Sequence, residues 1–352
     1  MIKVNAIDKS NMRQMILDFP KQFRAGLFAA ERITLPKLRL RSPIVICGMG
    51  GSASVGDLFK LWMRHEYIGF SEYEVIIHRG YGLPKLEFRY YEDGTWEPLI
   101  IAISYSGNTE ETLSAYEMAK KRGLPTIAMS TGGKLKELAM QDKTPFVQIP
   151  ITHIPPRASF GYQFGALAAL LKNLQIMDSK NHHIADLHIT LDAAALESEG
   201  KKLAKKFANI VPILYASDAW KELAQIIKIK FNEHAKWPAF WNYFPELNHN
   251  EMVGYASLSD RGSKIKAELF HLLMLRDASD HPRTKKRMEL TAKLLREKGI
   301  DSTFINIKGR TVLEKIFTML ILGDWIAYHH AVLRGIDPAP VELVEKFKKS
   351  MG

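Results

Sequence analysis

Short apolar runs that end in Gly, Ser or Pro alternate with longer amphipathic stretches, and this alternation constrains the fold more than any other feature of the sequence. In the first half it predicts strands at residues 44–47, 73–78, 99–104, 126–129 and 146–149, and helices at 55–65, 109–122 and 134–141. Strands that alternate with helices are typical of a parallel sheet covered by helices on both faces. The first half is therefore predicted to be a doubly wound α/β domain.

The same alternation restarts after the proline-rich segment PITHIPPRAS, residues 150–159. A long apolar helix is predicted at 164–174 and an amphipathic helix at 191–208. They are followed by strands at 210–216, 267–275 and 302–307 and by helices at 218–234, 285–298 and 312–333. A chain of 352 residues is long enough for two cores. We expect an N-terminal domain at 1–152, with a helical leader, and a C-terminal domain at 153–352 that ends in a helix.

Charge and hydropathy argue against nucleic-acid and membrane partners. The net charge of +11 favours anionic ligands, but the basic residues lie at helical spacing among apolar ones, which is typical of solvated helix faces. The longest apolar stretch, 316–327, is interrupted by Gly323 and Asp324 and is shorter than the ~20 residues of a membrane span. Charges run through the N-terminal residues, where a signal peptide would have an apolar core. These patterns predict a cytoplasmic protein.

The metal-binding and redox residue types are sparse. The one cysteine, Cys47, lies in an apolar run and is predicted to be a buried thiol. His182, His183 and His188 in NHHIADLH lack the spacing of a zinc site, so this stretch is predicted to be a polar linker. We expect neither a metal nor another cofactor.

The first strand ends in the glycine-rich turn GMGGSAS, residues 48–54. Gly48, Gly50 and Ala53 fit the loose dinucleotide fingerprint G-x-G-x-x-G/A. A dinucleotide site also requires an acidic residue at the end of the second strand, but that strand ends in His78 and Arg79. The turn is therefore predicted to hold a phosphate with its backbone N–H groups, without a dinucleotide.

The third strand ends in SYSGNTEET, where Ser104, Ser106 and Thr109 directly precede a helix. One hydroxyl would be explained by capping of that helix. Three hydroxyls beside free helix N–H groups favour a binding site for a phosphate monoester.

GMGGSAS, AISYSGNTEET and STGGKL together resemble the SIS domain, which binds phosphosugars. PPRAS, KIKFNEHAKWPAF, FPELNHNEMVG and LGDWIAYHHAVLRGIDPAPVELVEKFK resemble the bifunctional phosphoglucose/phosphomannose isomerases of archaea and bacteria, so that the resemblance spans roughly residues 20–348. It implies two SIS-type doubly wound subdomains and a homodimer with a shared active site. It also implies metal-independent interconversion of glucose 6-phosphate, and of mannose 6-phosphate, with fructose 6-phosphate through an enediolate.

The resemblance also implies a role for each candidate residue. Glu233 would be the base, His249 would open the sugar ring from the neighbouring subunit, and Arg157 would face the enediolate. Histidine suits proton exchange near neutral pH, and a fixed guanidinium stabilises a developing oxyanion. The substrate phosphate would be bound by Gly50, Gly51, Ser52, Ser104, Ser106 and Thr109.

Several alternatives stay open at this point. His234 is a second candidate for ring opening. Some family members carry a lysine near the sugar where His329 or His330 stands here, and these histidines either contact substrate or are packing residues. Without the resemblance, Arg157 would be interpreted as a surface linker residue. A non-catalytic phosphosugar-binding regulator is the alternative function.

Overall fold

Both predicted parallel sheets are present in a computed structural model of the chain, which confirms the doubly wound α/β class. The structure describes residues 4–31, 33–35, 42–66, 74–85, 90–91, 94–95, 97–152, 154–176, 182–258 and 265–351. Tyr73 of the predicted second strand lies outside these residues. The chain forms two units, an N-terminal unit of Asp18–Leu191 and a C-terminal unit of Met1–Leu17 with Asp192–Gly352.

The strands and helices are numbered here in chain order. The strands are β1 (Ile44–Cys47), β2 (Val75–His78), β3 (Leu99–Ile103), β4 (Thr126–Ser130), β5 (Phe146–Gln148), β6 (Val211–Ser217), β7 (Phe240–Phe244), β8 (Phe270–Arg276) and β9 (Asp301–Asn306), besides a short ribbon of Tyr90–Tyr91 with Gly94–Thr95. The helices are α1 (Val4–Ile7), α2 (Met12–Asp18), α3 (Gln22–Ala30), α4 (Gly50–Glu66), α5 (Glu110–Lys121), α6 (Gly133–Gln141), α7 (Phe160–Asn173), α8 (His182–Thr190), α9 (Ala193–Lys206), α10 (Lys221–Glu233), α11 (Glu251–Gly254), α12 (Pro282–Arg296), α13 (Val312–Leu333) and α14 (Glu342–Met351). Short 3₁₀ turns span Phe19–Lys21, Pro156–Ala158, Asp218–Trp220, Glu246–His249 and Ala267–Leu269.

The N-terminal sheet has the strand order β2-β1-β3-β4-β5, and all its pairings are parallel. Every residue of β1, β3 and β4 is buried, as expected for strands covered on both faces. The strand order reverses between β1 and β3, and ligands of doubly wound sheets bind at the carboxyl ends of the strands at such a point. The fold therefore brings the ends of β1 and β3 to the position expected for a ligand.

The boundary between the two units differs from the one predicted at 152/153. Helix α7 packs on α3 within the N-terminal unit, and glycines permit the close approach. A Cβ at Gly26 would lie 2.3 Å from the Tyr162 carbonyl oxygen, and one at Gly165 would lie 2.5 Å from the Phe23 carbonyl oxygen. The prolines before α7 turn the chain and do not separate two domains.

The histidine stretch predicted to be a polar linker is instead helix α8. Ile184 and Leu187 are buried, and their spacing of three residues supplies a helical apolar face that the polar composition obscured. Within the described ranges, no group of three or more His, Cys, Asp or Glu side chains could hold a metal ion.

The C-terminal sheet has the strand order β9-β8-β6-β7, and its pairings are also parallel. The sequence analysis did not predict β7. This edge strand is only partly buried and lies between Pro238 and Pro245, so it lacks the continuous apolar run by which the other strands were found. The first residues of the chain also belong to this unit, where the Tyr328 hydroxyl donates to the Asp8 carboxylate at 3.1 Å.

Helix α13 matches the predicted bounds of 312–333. It is, in the part of the chain that the structure describes, the one helix with the length and hydropathy of a membrane span, but 83% of its apolar window is buried inside the protein. It packs against α9 and α10. These contacts are typical of a core helix.

Gly26→Ala should lower the free energy of unfolding by about 2 kcal/mol, because the added methyl group would force α3 or α7 to shift. The urea midpoint measured by circular dichroism should fall accordingly. Gly254→Ala is the matched control, since no atom lies within 4 Å of a Cβ at that position. Equal effects of the two substitutions would contradict the close-packing explanation.

Candidate active site

The turn after β1 leads directly into α4, so that Gly50, Gly51 and Ser52 of the predicted loop make up the first turn of the helix. Gly50 has a φ of +49°, a conformation that favours glycine. The Ser52 Oγ accepts a hydrogen bond from the Tyr105 backbone N–H at 3.2 Å. This bond joins the segments that follow β1 and β3, the two loops predicted from the sequence to bind the substrate phosphate.

In the turn after β3, hydroxyl side chains form the hydrogen bonds, whereas the first turn is rich in glycine. Ser104 Oγ lies 2.9 Å from Thr109 Oγ1 and accepts from the Gly107 backbone N–H at 3.0 Å. Thr109 occupies the N-cap position of α5, but its side chain makes no capping hydrogen bond. The capping alternative therefore does not account for this hydroxyl, and Ser106 beside it is exposed.

The STGGKL segment, residues 130–135, forms hydrogen bonds with the second turn and holds it in place. The Thr131 backbone N–H and hydroxyl donate to the Tyr105 carbonyl oxygen at 3.0 and 2.7 Å. The Lys134 backbone N–H donates to Asn108 Oδ1 at 2.9 Å. Gly107 and Gly132 pack so closely that a Cβ on Gly107 would lie 1.8 Å from the Gly132 carbonyl oxygen. The turn is thus fixed by contacts of its backbone and of the Thr131 and Asn108 side chains.

Arg157 is buried in the N-terminal unit and is not the surface linker residue that its local sequence suggested. Its 3₁₀ turn lies against the first phosphate loop, where a Cβ on Gly51 would be 3.4 Å from the Arg157 Cα. Gln22 of α3 holds this turn. Its Nε2 donates to the Ala158 carbonyl oxygen at 2.7 Å, and its Oε1 accepts from the Gly161 N–H at 3.1 Å.

The N-terminal unit therefore brings together two helix N-termini, four hydroxyl side chains and one arginine. The N-terminus of a helix offers free N–H groups and the positive end of the helix dipole, both of which favour an anion. A guanidinium group adds a fixed positive charge. We call the set Gly50, Gly51, Ser52, Ser104, Ser106 and Thr109 the phosphate cradle, and its donors suit a phosphate monoester.

The side chains of Glu233 and His234 lie in different environments within the C-terminal unit. Glu233 is the last residue of α10, is partly exposed, and lines a cavity of about 620 Å³ together with Lys236, Trp237 and residues of the 336–344 segment. The His234 side chain is only 1% exposed, and its Nδ1 lies 3.3 Å from Asp324 Oδ1. This orientation favours Glu233 for chemistry on a ligand and a structural role for His234.

Asp324 also pairs with Lys230, whose Nζ lies 2.5 Å from Asp324 Oδ1. Burial alone would raise the pKa of Asp324, but the Lys230 charge and the His234 hydrogen bond outweigh burial and hold this pKa below its ordinary value. The sequence analysis noted Asp324 only as an interruption of an apolar stretch. A single acidic residue in such a stretch was the available signal for this buried ion pair.

Lys236 links the end of α10 to the C-terminal segment. Its Nζ donates to the carbonyl oxygens of Glu233 and of Pro338, the latter at 2.8 Å. Arg334 donates to the Ala235 carbonyl oxygen at 2.9 Å and stacks over Trp237 at 4.2 Å. The backbone on which Glu233 stands is therefore held from two directions.

The structure supports the packing interpretation of His329 and His330. The His330 ring is completely buried, and its Nε2 lies 2.8 Å from the Phe207 carbonyl oxygen. The His329 ring stacks on Trp325 at 5.7 Å and lies 3.4 Å from Glu197. Burial lowers the pKa of both imidazoles, as expected for neutral rings in a core.

The two parallel sheets flanked by helices define a protein of the SIS class. The SIS domain model matches residues 37–144, and the model described as the bacterial phospho-glucose isomerase C-terminal SIS domain matches residues 196–351. The crystal structure of glucosamine-6-phosphate deaminase from Thermotoga maritima has the same fold, with a TM-score of 0.65 at 16% identity over 94% of this chain and 97% of that chain.

Two relatives that match over nearly their whole length identify the family within the SIS class. The bifunctional phosphoglucose/phosphomannose isomerase of Caldicellulosiruptor bescii is 35% identical over 97% of this chain and 98% of that protein. The protein of the same name from Thermoplasma volcanium is 34% identical over 95% of each chain. The chain belongs to the bifunctional phosphoglucose/phosphomannose isomerase family, as the sequence motifs predicted.

Lys230→Met should lower the free energy of unfolding by roughly 3 to 5 kcal/mol at neutral pH, because Asp324 stays buried without its cationic partner. A double variant, Lys230→Met with Asp324→Leu, should recover most of that loss because no unpaired charge remains. Urea unfolding followed by circular dichroism measures both effects. A double variant no more stable than the single one would show that the ion pair does not explain the loss.

The same pair predicts a pH dependence of stability. Since the folded-state pKa of Asp324 is lowered, its contribution to stability is complete above the unfolded-state pKa of ~3.9 and is lost as the pH falls through the folded-state value. Between about pH 5 and 2, the wild-type protein should therefore lose more stability than the double variant. An identical acid dependence of the two proteins would contradict this prediction.

Proposed function

We propose that this protein interconverts glucose 6-phosphate, and mannose 6-phosphate, with fructose 6-phosphate. The observation that carries the proposal is the phosphate cradle joined through Ser52, with Arg157 buried beside it, in a chain that belongs to this isomerase family. The reaction moves a proton between C1 and C2 through an enediolate. No feature of the described residues favours the non-catalytic regulator.

The phosphate cradle binds the substrate phosphate and thereby fixes the reacting carbons. The phosphate itself does not react, so its binding energy lowers the entropic part of the barrier. Arg157 stabilises the enediolate oxygen, because its buried and fixed guanidinium does not have to reorganise as the charge develops.

Glu233 acts as the base that removes a proton from one carbon and returns it to the neighbouring carbon. Its partial exposure, at a cavity and beside a backbone held by Lys236, supports this role. His249 exchanges a proton with the ring oxygen to open the sugar, and it is supplied by the partner subunit of a homodimer. The His249 side chain is exposed in its own unit, which leaves it accessible to a second copy.

The proposal includes neither a metal nor a nucleotide, and it places the enzyme in the cytoplasm. The buried thiol of Cys47, the only cysteine, supports a reducing compartment. The core packing of α13 supports a protein that does not span a membrane. The excess of basic residues favours phosphorylated substrates over neutral sugars.

Glu233→Gln should abolish turnover, because an amide cannot accept the C2 proton, while phosphosugar affinity should change little since the phosphate cradle is intact. A coupled assay of fructose 6-phosphate formation measures turnover, and titration calorimetry measures binding. Glu289→Gln, an exposed residue of α12, is the matched control and should keep full activity. An active Glu233→Gln variant would show that another residue is the base.

The same coupled assay tests the proposed function itself, with glucose 6-phosphate and mannose 6-phosphate in the presence and absence of EDTA. We expect fructose 6-phosphate from both sugars and no loss of activity on chelation. If neither sugar yields fructose 6-phosphate, the proposed function is wrong. A loss of activity with EDTA would show that a metal takes part.

A mixture of inactive Glu233→Gln and His249→Ala proteins should regain about a quarter of the wild-type activity after subunit exchange. Half of the randomly formed dimers contain one chain of each kind, and one of the two shared sites in such a dimer is intact. The coupled assay before and after mixing measures the recovery. No recovery despite proven exchange would place both residues of each site on the same chain.

A further inference from the structure

The segment around His249 is held by side chains on both sides of this residue. Asn248 Nδ2 donates to Thr291 Oγ1 of α12 at 2.9 Å. Asn250 Nδ2 donates to Glu246 Oε1 at 2.8 Å, and its Oδ1 accepts from the Glu251 N–H at 2.5 Å. The His249 side chain between them is exposed. A loop position that is fixed on both sides and solvent-exposed at its centre presents one side chain in a defined direction.

Glu251 makes the most extensive of these contacts, because its carboxylate accepts from three side chains. Oε1 accepts from the Tyr215 hydroxyl at 2.5 Å and from the Tyr255 hydroxyl at 2.9 Å. Oε2 accepts from Asn242 Nδ2. Tyr215 belongs to β6 and Asn242 to β7, so that one carboxylate ties the segment after His249 to two neighbouring strands of the sheet.

The tyrosines that donate to Glu251 are themselves immobilised. Tyr215 is completely buried and makes an edge-to-face contact with Phe244 at 5.8 Å, and its hydroxyl lies 2.8 Å from that of Tyr255. Burial, followed by the neighbouring Tyr255 and then Glu251, raises the pKa of Tyr215, and burial also raises that of Tyr255. Both phenols therefore stay protonated and donate to a carboxylate, and hydrogen bonds to an ionised acceptor are about twice as strong as neutral ones.

We propose that Glu251 is the positioning residue for sugar-ring opening: held by Tyr215, Tyr255 and Asn242, it sets the direction of the His249 imidazole. This inference rests on the ring-opening role proposed for His249. Glu251 acts through the backbone between the two residues and does not touch substrate. Apolar packing of Leu247 and Tyr255 holds the segment to the core, whereas the polar contacts of Glu251 fix its orientation.

Glu251→Gln tests the inference, because its NH₂ group would face the Asn242 donor and its uncharged oxygen would accept more weakly from the two phenols. With glucose 6-phosphate, kcat should fall about tenfold, since a small displacement of a catalytic group is costly. KM should stay within about twofold, because the phosphate cradle is unaffected. Glu289→Gln again serves as the matched control.

Ring opening alone is measured as exchange between the α and β anomers of glucose 6-phosphate in a Glu233→Gln background, by exchange NMR. This variant should still accelerate anomer exchange, because His249 is intact and only the C1–C2 proton transfer is lost. Adding Glu251→Gln should slow the enzyme-catalysed exchange about tenfold. A residue that served only to keep the protein folded would not slow ring opening in a folded variant.

Each outcome decides between supporting and overturning the inference. Unchanged anomer exchange after Glu251→Gln overturns it and leaves the proposed function intact. If the Glu233→Gln protein does not accelerate anomer exchange at all, both the inference and the ring-opening role of His249 are overturned. The coupled assay of the wild-type protein reports separately on isomerase activity. If Glu251→Gln fails to fold, Tyr255→Phe removes one donor and keeps the ring; it should slow exchange severalfold, and an unchanged rate would overturn the inference.

Discussion

The hydrogen bond from the Tyr105 backbone N–H to Ser52 Oγ is the contact on which the phosphate cradle depends. It joins the segments that follow two adjacent strands at the point where the sheet order reverses, next to the N-terminus of α4. Contacts of the backbone and of the Thr131 and Asn108 side chains hold the second turn before any anion binds. Preorganisation of this kind reduces the entropic cost of holding a substrate.

The catalytic candidates are supported by a different kind of structure. Glu233 ends α10, whose buried Lys230 pairs with Asp324 of α13, and His249 stands on a segment tied to the sheet through Glu251. In both cases a partly or fully exposed side chain lies within three residues of a polar contact that ties its segment to a neighbouring element. Hydrogen-bonded polar networks of this kind rigidify the structure around them.

Much of this architecture was predictable from the sequence, since β1, β3 and β4 are continuous apolar runs bounded by turn residues and α13 is a long, mostly apolar stretch. The family was identified from short motifs, which also predict the phosphate loops. Two elements were not predicted correctly, because their formation depends on tertiary contacts. Strand β7 is a half-buried edge strand, and the apolar face of α8 is not evident from its polar composition. Arg157 is buried in a turn that Gln22, distant in sequence, contacts through Ala158 and Gly161, and no local pattern reveals those contacts.

The distribution of the chain between the two units also bears on how the protein matures. The C-terminal unit contains residues from both ends of the chain, with Asp8 accepting from Tyr328, whereas the N-terminal unit is one continuous segment. As a ribosome synthesises the chain, the N-terminal unit is complete long before the other unit. Residues Met1–Leu17 precede it in the chain yet must wait for α13 before their native partners exist. Synthesis therefore imposes an order in which the unit with the candidate phosphate loops precedes the completed unit that carries the candidate base.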